Sequence, residues 1–144
     1  MIKFGILSTS SIAPRFIAAV RESGLGEVTA LSSRSAEKAE EKAAQWQIPA
    51  FYADHNALIA DENVEVVYIS AVNSAHYRWA KAAIEAGKHV LCEKPCTTTE
   101  RQTRELFRIA KERGVFLMEA QKMLFLPAVL ELKRSIDAGE LGAV

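Results

Sequence analysis

The middle of the chain, residues 64–95, reads VEVVYISAVNSAHYRWAKAAIEAGKHVLCEKP and indicates a strand, a helix and a second strand in succession. Residues 64–71 form an apolar run that is typical of a buried parallel strand. Ser74 begins a helical segment that runs to Ala86 and ends at Gly87, and residues 89–92 again favour a strand. Two parallel strands joined by a helix make one βαβ unit, so this stretch favours an α/β fold.

The same alternation continues on both sides of this unit. The pattern predicts further strands at 2–8, 28–32, 50–52 and 115–118 and further helices at 12–21, 35–46, 55–60, 100–113 and 126–138. Ser35 is suited to cap the second helix, and Ser10 or Ser11 to cap the first. Strict alternation with short connections predicts one α/β domain over residues 1–144, with a doubly wound parallel sheet and helices on both faces.

Composition excludes several classes of function. The 144 residues carry 18 basic and 18 acidic side chains, so no overall field would attract nucleic acid or an anionic membrane. We expect a cytoplasmic protein, because no basic leader precedes the first strand and no apolar run reaches membrane-spanning length. Cys92 and Cys96 lack histidines at a suitable spacing and are predicted to be reduced thiols, not metal ligands.

Polar residues follow most of the predicted strands at the point where the strand ends. The carboxyl ends of parallel strands share one edge of the sheet, and open α/β sheets bind their ligands at that edge. Polar loops occur in every α/β protein, so the individual residues must decide whether a site is present. The strand-end groups are Ser8–Ser11, Ser33–Arg34, Asn73–Ser74, Glu93–Lys94 and Glu119–Lys122.

The first of these loops precedes a helix whose amino end could hold a pyrophosphate. Dinucleotide-binding proteins have a G-x-G-x-x-A turn here, whereas residues 8–13 of this chain read S-T-S-S-I-A. Ser10 occupies the position of closest approach, so it either displaces the phosphate or donates its hydroxyl to it. The other interpretation is an ordinary capped helix start.

The second strand is followed by a hydroxyl and a guanidinium, Ser33 and Arg34. A site that prefers NAD has an acidic residue in this region, which binds the ribose 2′-hydroxyl. Arginine instead suits a 2′-phosphate, and Lys38 adds a second positive charge one turn into the next helix. These residues predict NADP in preference to NAD, the alternative being a solvated surface arginine.

Lys94 lies between Glu93 and Pro95 at the end of a central strand. Near a nicotinamide, its ammonium group could polarise a carbonyl or exchange a proton with a hydroxyl during hydride transfer. The alternative is a surface lysine in a salt bridge. His76, in the first turn of the following helix pattern, is either a polar group at the cofactor pocket or a packing residue.

The segment Asn73–Pro95 resembles the Gfo/Idh/MocA family of oxidoreductases, whose helix with A-G-K-H-V leads into E-K-P. Residues 66–71 and 32–39 fit the same pattern, and L-M-E-A with F-L-P, residues 117–120 and 125–127, is similar to the dihydrodiol dehydrogenase branch. The resemblance covers the whole chain. It departs at Ser8 and Ser10, which replace motif glycines, and at Leu124, where that branch has arginine.

The resemblance implies hydride transfer between NADP and a hydroxyl or ketone of a sugar, polyol or diol, with Lys94 at the reacting centre. It places Glu93 by the nicotinamide end of the cofactor, and Gln121 and Lys122 near the nicotinamide or the substrate. The remaining cofactor contacts that it implies are Ser8, Thr9, Ser10, Ser11 and Ile12 for the pyrophosphate, Ser33, Arg34 and Lys38 for the adenosine ribose phosphate, and Ala71, Val72, Asn73 and His76 for the middle of the cofactor.

Residues 139–144 resemble the family's connection to a second α/β domain, which supplies substrate contacts and usually the homo-oligomer interface. We therefore expect this chain to be the cofactor-binding half of an enzyme and to be inactive without the other half. The competing hypothesis is a stand-alone module that binds a nucleotide or a protein partner and catalyses nothing.

Overall fold

The computed structural model describes residues 1–142 and contains six strands, six α-helices and a short 3₁₀ helix. None of the helices within this range is long and apolar enough to cross a membrane. Residues 143 and 144, the end of the predicted connection to a second domain, lie outside the described residues. The strands are β1 (Ile2–Leu7), β2 (Gly26–Ser32), β3 (Ala50–Tyr52), β4 (Val66–Ile69), β5 (His89–Cys92) and β6 (Leu117–Glu119). The helices are α1 (Ala13–Ser23), α2 (Ala36–Trp46), α3 (His55–Ala60), α4 (Asn73–Glu85), α5 (Glu100–Arg113) and α6 (Pro127–Asp137), with the 3₁₀ helix at Lys122–Phe125.

All six strands are parallel and lie in the order β3-β2-β1-β4-β5-β6. From β1 the chain first moves outward through β2 to β3, and then crosses back to β4 on the other side of β1. This confirms the predicted doubly wound sheet. The strand order reverses between β1 and β4, which is where sheets of this type open a crevice for a ligand.

Two apolar clusters cover the two faces of the sheet, because successive strand residues point to opposite sides. Ile6, Leu31 and Tyr68 pack with α1 and α2 in one cluster. The neighbouring strand residues pack in the other cluster, with α3, α4 and α5. The first cluster, on the α1 face of the sheet, leaves part of β5 and β6 uncovered. None of the side chains of α6 is buried.

The predicted limits of the strands and helices agree closely with the structure, but the predicted cap of α1 does not. The predicted limits of β3, β5, α3 and α5 are confirmed, and Ser35 caps α2 by accepting a hydrogen bond from Lys38 N at 3.2 Å. The prediction that Ser10 or Ser11 caps α1 is wrong, because its N-cap is Ile12 and no side chain caps it. The 3₁₀ helix was not expected, and β4 is shorter than predicted.

Gly5 provides a test of how closely β1 packs against α3 and against Val64, which precedes β4. A Cβ atom at Gly5 would lie 2.8 Å from Val64 Cγ1 and 3.3 Å from Leu58 Cδ1, and both neighbours are fully buried. Overpacking of this kind costs about 1–3 kcal/mol. We predict that Gly5→Ala lowers the free energy of unfolding by this amount, as measured by urea denaturation.

A second substitution tests whether Val64 causes the loss. The double variant Gly5→Ala/Val64→Ala should be less destabilised than the sum of the two single variants, because Val64→Ala removes the clashing methyl groups. Strict additivity, or an unchanged midpoint for Gly5→Ala, would contradict the close approach.

Candidate functional site

The carboxyl ends of β1 and β4 lie side by side, with Leu7 paired to Ile69. The next residues hold their two loops together, since Ser70 N donates to Leu7 O at 3.1 Å and Ser70 Oγ donates to Ser8 O at 3.0 Å. The loop after β1 is therefore fixed at the point where strand order reverses. Ser70 is a residue of this site that the strand-end survey of the sequence did not select.

Ser8 has a backbone φ of 82°, a conformation that favours glycine. It keeps this conformation because Ser8 N donates to Ser32 O at 3.1 Å while its carbonyl accepts from Ser70. The turn thus retains the backbone shape of a glycine turn although a serine occupies it. Such strain costs about 1 kcal/mol or more and often accompanies a functional loop.

Ser10 carries a buried hydroxyl oxygen with no hydrogen-bond partner within the described residues. An unpaired buried hydroxyl is costly, and each one in a native protein needs an explanation. The amino end of α1 follows directly; it has no side-chain cap, and the N–H groups of Ala13 and Arg15 already donate to the carbonyls of Ser10 and Ile12. An anion such as a phosphate would satisfy the Ser10 hydroxyl and interact favourably with the positive end of the helix dipole, so the residues of this loop fit a dinucleotide pyrophosphate.

A polar cavity of about 360 Å³ lies beside this loop, at the ends of β1, β2 and β3. This cavity brings the loop after β1 together with the predicted phosphate-binding residues that follow β2. Ser33 is buried, whereas Arg34 and Lys38 are exposed. The lining residues are Ser8, Thr9, Ser33, Arg34, Ser35, Lys38 and His55, and none of those described is acidic. The cavity has the charge and hydroxyl content that a phosphate monoester requires.

His55, the first residue of α3, is a member of this cavity that sequence reasoning missed. The ring is almost completely buried, and its Nδ1 lies 2.8 Å from Ser32 Oγ. The edge of Trp79 packs against it, with 4.9 Å between ring centroids. Burial lowers the pKa of the imidazole, and the nearby positive charges of Arg34 and Arg78 lower it further, against the opposing effect of Asp54.

A second cavity, of about 450 Å³, lies on the α1 face of β4, β5 and β6 and extends to the residues that follow β5 and β6 at the carboxyl edge. Its floor includes Tyr68, whose hydroxyl donates to Glu93 Oε1 at 2.7 Å. Phe16 stacks on the Tyr68 ring at 3.8 Å. Burial and the hydrogen bond to Glu93 raise the pKa of Tyr68, so its phenol remains a donor that fixes the carboxylate. The predicted residues Ile12, Glu93 and Gln121 line this cavity together with Lys122.

Lys94 is exposed and does not itself line the second cavity. It lies on a short segment whose two ends are anchored by the buried free thiols of Cys92 and Cys96. The Cys92 thiol donates to Cys96 O at 3.8 Å, which closes the segment into a tight loop. Lys94 therefore directly follows Glu93, which lines the cavity, on a loop that is closed by this contact.

His76 is buried to 1% exposure behind this loop. Its Nδ1 lies 2.7 Å from Pro95 O, and its Nε2 lies 2.9 Å from Ala71 O. The ring thus joins the loop after β5 to the loop after β4. Both nitrogens are occupied by the protein, so the position favours support of the two loops over direct contact with a ligand. Val72 and Asn73, on the supported loop, are exposed at the edge.

A third cavity, of about 710 Å³, lies at the opposite edge, where the strands begin. Apolar residues form most of its lining, and Glu62 and Glu65 add carboxylates that would repel a phosphate. Its Lys88 ammonium is already engaged by the carbonyls of Asp61 and Val64, both at 2.7 Å. The chemistry of the strand ends, rather than cavity size, therefore locates the candidate site.

The chain is similar to known proteins over almost its whole length. The Gfo/Idh/MocA model, described as an oxidoreductase family with an NAD-binding Rossmann fold, matches residues 2–121. The scyllo-inositol 2-dehydrogenase (NADP(+)) IolU of Bacillus subtilis is 39% identical over 94% of this chain and 42% of its own length. The trans-1,2-dihydrobenzene-1,2-diol dehydrogenase of Mus musculus is 36% identical over 98% of this chain and 43% of its own length.

Solved structures give the same result for the fold. An NAD-binding oxidoreductase from Klebsiella pneumoniae superimposes with a TM-score of 0.92 and 32% identity, over 98% of this chain and 40% of that protein. The chain thus spans less than half the length of the proteins that it matches. The predicted similarity to the dihydrodiol dehydrogenase branch is confirmed by the mouse relative.

The strained turn yields a stability prediction. Ser8→Gly should raise the free energy of unfolding of the ligand-free chain by about 1 kcal/mol, because glycine adopts a positive φ without steric cost. Thermal or urea denaturation measures the change.

Ser11→Gly is the matched control in the same loop. Only Ser8 and Gln47 have a positive φ among non-glycine residues 1–142, so Ser11→Gly relieves no strain and should be neutral or slightly destabilising. If Ser8→Gly destabilised the chain as much as Ser11→Gly does, the strain assigned to the first loop would be wrong.

Proposed function

The chain belongs to the Gfo/Idh/MocA oxidoreductase family, and from this we propose that it is the NADP-binding half of an enzyme that oxidises or reduces a sugar, polyol or diol. The substrate class rests on relatives named as inositol and dihydrodiol dehydrogenases. NADP, when bound, supplies the hydride acceptor or donor. The protein's part is to bind the cofactor, orient it and manage the proton of the reacting hydroxyl.

The observation that carries this proposal is the polar cavity at the ends of β1, β2 and β3. Arg34 and Lys38 supply positive charge there, and Ser33 adds a hydroxyl donor. An NAD site would have a carboxylate for the ribose hydroxyls, and the lining described here has none. The cavity is suited to the adenosine 2′-phosphate of NADP, which we assign to these three residues.

The pyrophosphate would lie against residues 8–12, where the unpaired Ser10 hydroxyl supplies a donor and the α1 dipole presents its positive end. Serine in place of glycine keeps the phosphate slightly farther from the backbone but adds its own O–H group. Ala71, Val72 and Asn73 follow β4 at the same edge and would contact the middle of the cofactor. His76 would support this contact by holding the Ala71 carbonyl.

The nicotinamide would lie toward the second cavity, with Ile12, Glu93 and Gln121 around it. Lys94 is the group assigned to the chemistry, because its ammonium can donate a hydrogen bond to the substrate oxygen. In the oxidation direction the neutral amine of Lys94 would accept the hydroxyl proton, and in reduction the ammonium group would return a proton to the carbonyl oxygen. Tyr68 acts indirectly, because its hydroxyl group holds the carboxylate of Glu93, the residue before Lys94.

A second domain is part of the proposal. The apolar side chains of Leu130, Leu132 and Ile136 on α6 are exposed, as are Leu124 and Phe125 before it. A domain packed here would cover these side chains and close the second cavity over the substrate. The homo-oligomer and the cytoplasmic location expected from the sequence remain predictions.

Cofactor choice is tested by titrating the chain with NADPH and NADH and following nicotinamide fluorescence. Arg34→Ala should weaken NADPH binding by roughly 10- to 100-fold and leave NADH binding nearly unchanged, because it removes a bidentate charged contact to the phosphate. Arg104→Ala, which removes an exposed arginine paired with Glu100 on α5, is the control and should change neither. Failure of either dinucleotide to bind, or equal binding that survives Arg34→Ala, would overturn the cofactor assignment.

The chemical role of Lys94 is tested in a two-domain protein that contains this chain. Lys94→Ala should lower kcat by about 10²- to 10⁴-fold, the usual contribution of a positioned acid or base, with little change in the Kd for NADPH. Lys94→Arg keeps the charge but exchanges no proton, so it should remain impaired. Undiminished turnover in Lys94→Ala would refute the role.

A further inference from the structure

We infer that His55 is a further ligand for the adenosine 2′-phosphate and makes the choice of NADP over NAD dependent on pH, an inference that rests on the proposed function. His55 lines the polar cavity with Ser33, Arg34 and Lys38. It comes from a different element, α3, and faces the other three residues from the β3 side of the cavity. The phosphate would therefore be held from both β2 and β3.

The hydrogen bonding of the ring leaves one nitrogen for a ligand. Nδ1 is engaged by Ser32 Oγ at 2.8 Å, and within residues 1–142 the ring makes no second hydrogen bond. If the buried Ser32 hydroxyl donates to Nδ1 of the neutral imidazole, the proton lies on Nε2 and can be donated to a phosphate oxygen. When it is protonated, Nδ1 donates to Ser32 Oγ, and Nε2 still donates. Ser32 thus orients the ring for either state.

The charges around His55 give the sign of the pH effect. Arg34 on the loop after β2 and Arg78 on α4 oppose protonation, as burial does, while Asp54 beside it favours protonation. Lys38 adds a further positive charge to the same cavity. In the ligand-free chain the pKa of His55 therefore lies below its ordinary 6.5, and the ring is neutral at pH 7.

A phosphate dianion reverses this balance, because it neutralises Arg34 and Lys38 and adds negative charge next to the ring. The His55 pKa rises in the complex, so binding takes up a proton. Affinity for NADPH should then increase as pH falls through the raised pKa of the complex, and should level off below the lowered pKa of the free chain. As the pH falls to about 6, the 2′-phosphate takes up a proton and loses its second negative charge. The pH range over which His55 can be tested therefore ends above this value.

The test is the Kd of the chain for NADPH and for NADH between about pH 6.5 and pH 8.5, measured by fluorescence. In the unchanged chain, NADPH should bind roughly tenfold more tightly at the lower pH, with little change for NADH. His55→Gln keeps a neutral donor and should flatten the NADPH profile. His89→Gln, at the opposite edge of the sheet, should keep the profile of the unchanged chain.

Proton uptake provides a test that needs no variant. Calorimetric titration at pH 7 in two buffers of different ionisation enthalpy should report uptake of a fraction of a proton with NADPH and none with NADH. Uptake with both dinucleotides would assign His55 to the pyrophosphate and overturn the inference.

The remaining outcomes separate the inference from the proposed function. Preferential binding of NADPH with the same pH profile in the unchanged chain and in His55→Gln would remove the role of His55 and leave the cofactor assignment intact. If neither dinucleotide bound, the cofactor assignment and the role of His55 would both fail.

Discussion

The parallel pairing of β1 with β4 is the constraint on which the rest of the molecule depends. It seats Leu7 beside Ile69 at the centre of the sheet, and Ser70 then ties the first loop to the end of β4 through the carbonyls of Leu7 and Ser8. Because the chain leaves β1 in one direction and returns on the other side, the flanking loops diverge and open a crevice there. The polar cavity at the carboxyl edge lies on one side of this junction, and the second cavity, on the α1 face of β4, β5 and β6, lies on the other.

These two cavities differ in chemistry in the way that the two ends of a dinucleotide differ. The cavity on the β2–β3 side is polar and positively charged, which suits a phosphate. The other is mostly apolar, with one carboxylate held by a buried tyrosine, and suits a flat ring beside a reactive carbon. The first loop lies between them and offers the Ser10 hydroxyl and the positive end of the α1 dipole to the phosphates that would join the two ends.

Much of the fold was predictable because its signals are local. The spacing of apolar residues, the capping residue Ser35 and the glycines that follow the helices predicted the limits of α2, β5 and α5 to within one residue. The positions of residues that follow the strands were predictable too, since the carboxyl ends of parallel strands meet. Arg34 and Lys38 line one cavity, and Glu93 and Gln121 the other, as that rule requires.

The features that escaped prediction depend on contacts distant in sequence. His55 lies shortly after β3, an edge strand of only three residues, and its sequence position does not indicate a site. Only the fold brings its Nδ1 to 2.8 Å from Ser32 Oγ. Tyr68 lies within an aliphatic strand and gains its role from Glu93, 25 residues later. Ser10 and Ser11 looked like caps, yet α1 begins at Ala13, one residue later than predicted, so its N-cap is Ile12 and neither serine caps it.

The central claim is that the dinucleotide lies along the carboxyl edge of the sheet, with its adenosine phosphate at the β2–β3 end. Titration of the ¹⁵N-labelled chain with NADPH, followed by amide chemical shifts, tests it directly. The account predicts that the largest shifts fall in residues 8–12, 33–38, 55 and 71–73. Shifts concentrated around the larger cavity at the amino edge, at residues 62–66 and 87–90, would contradict it.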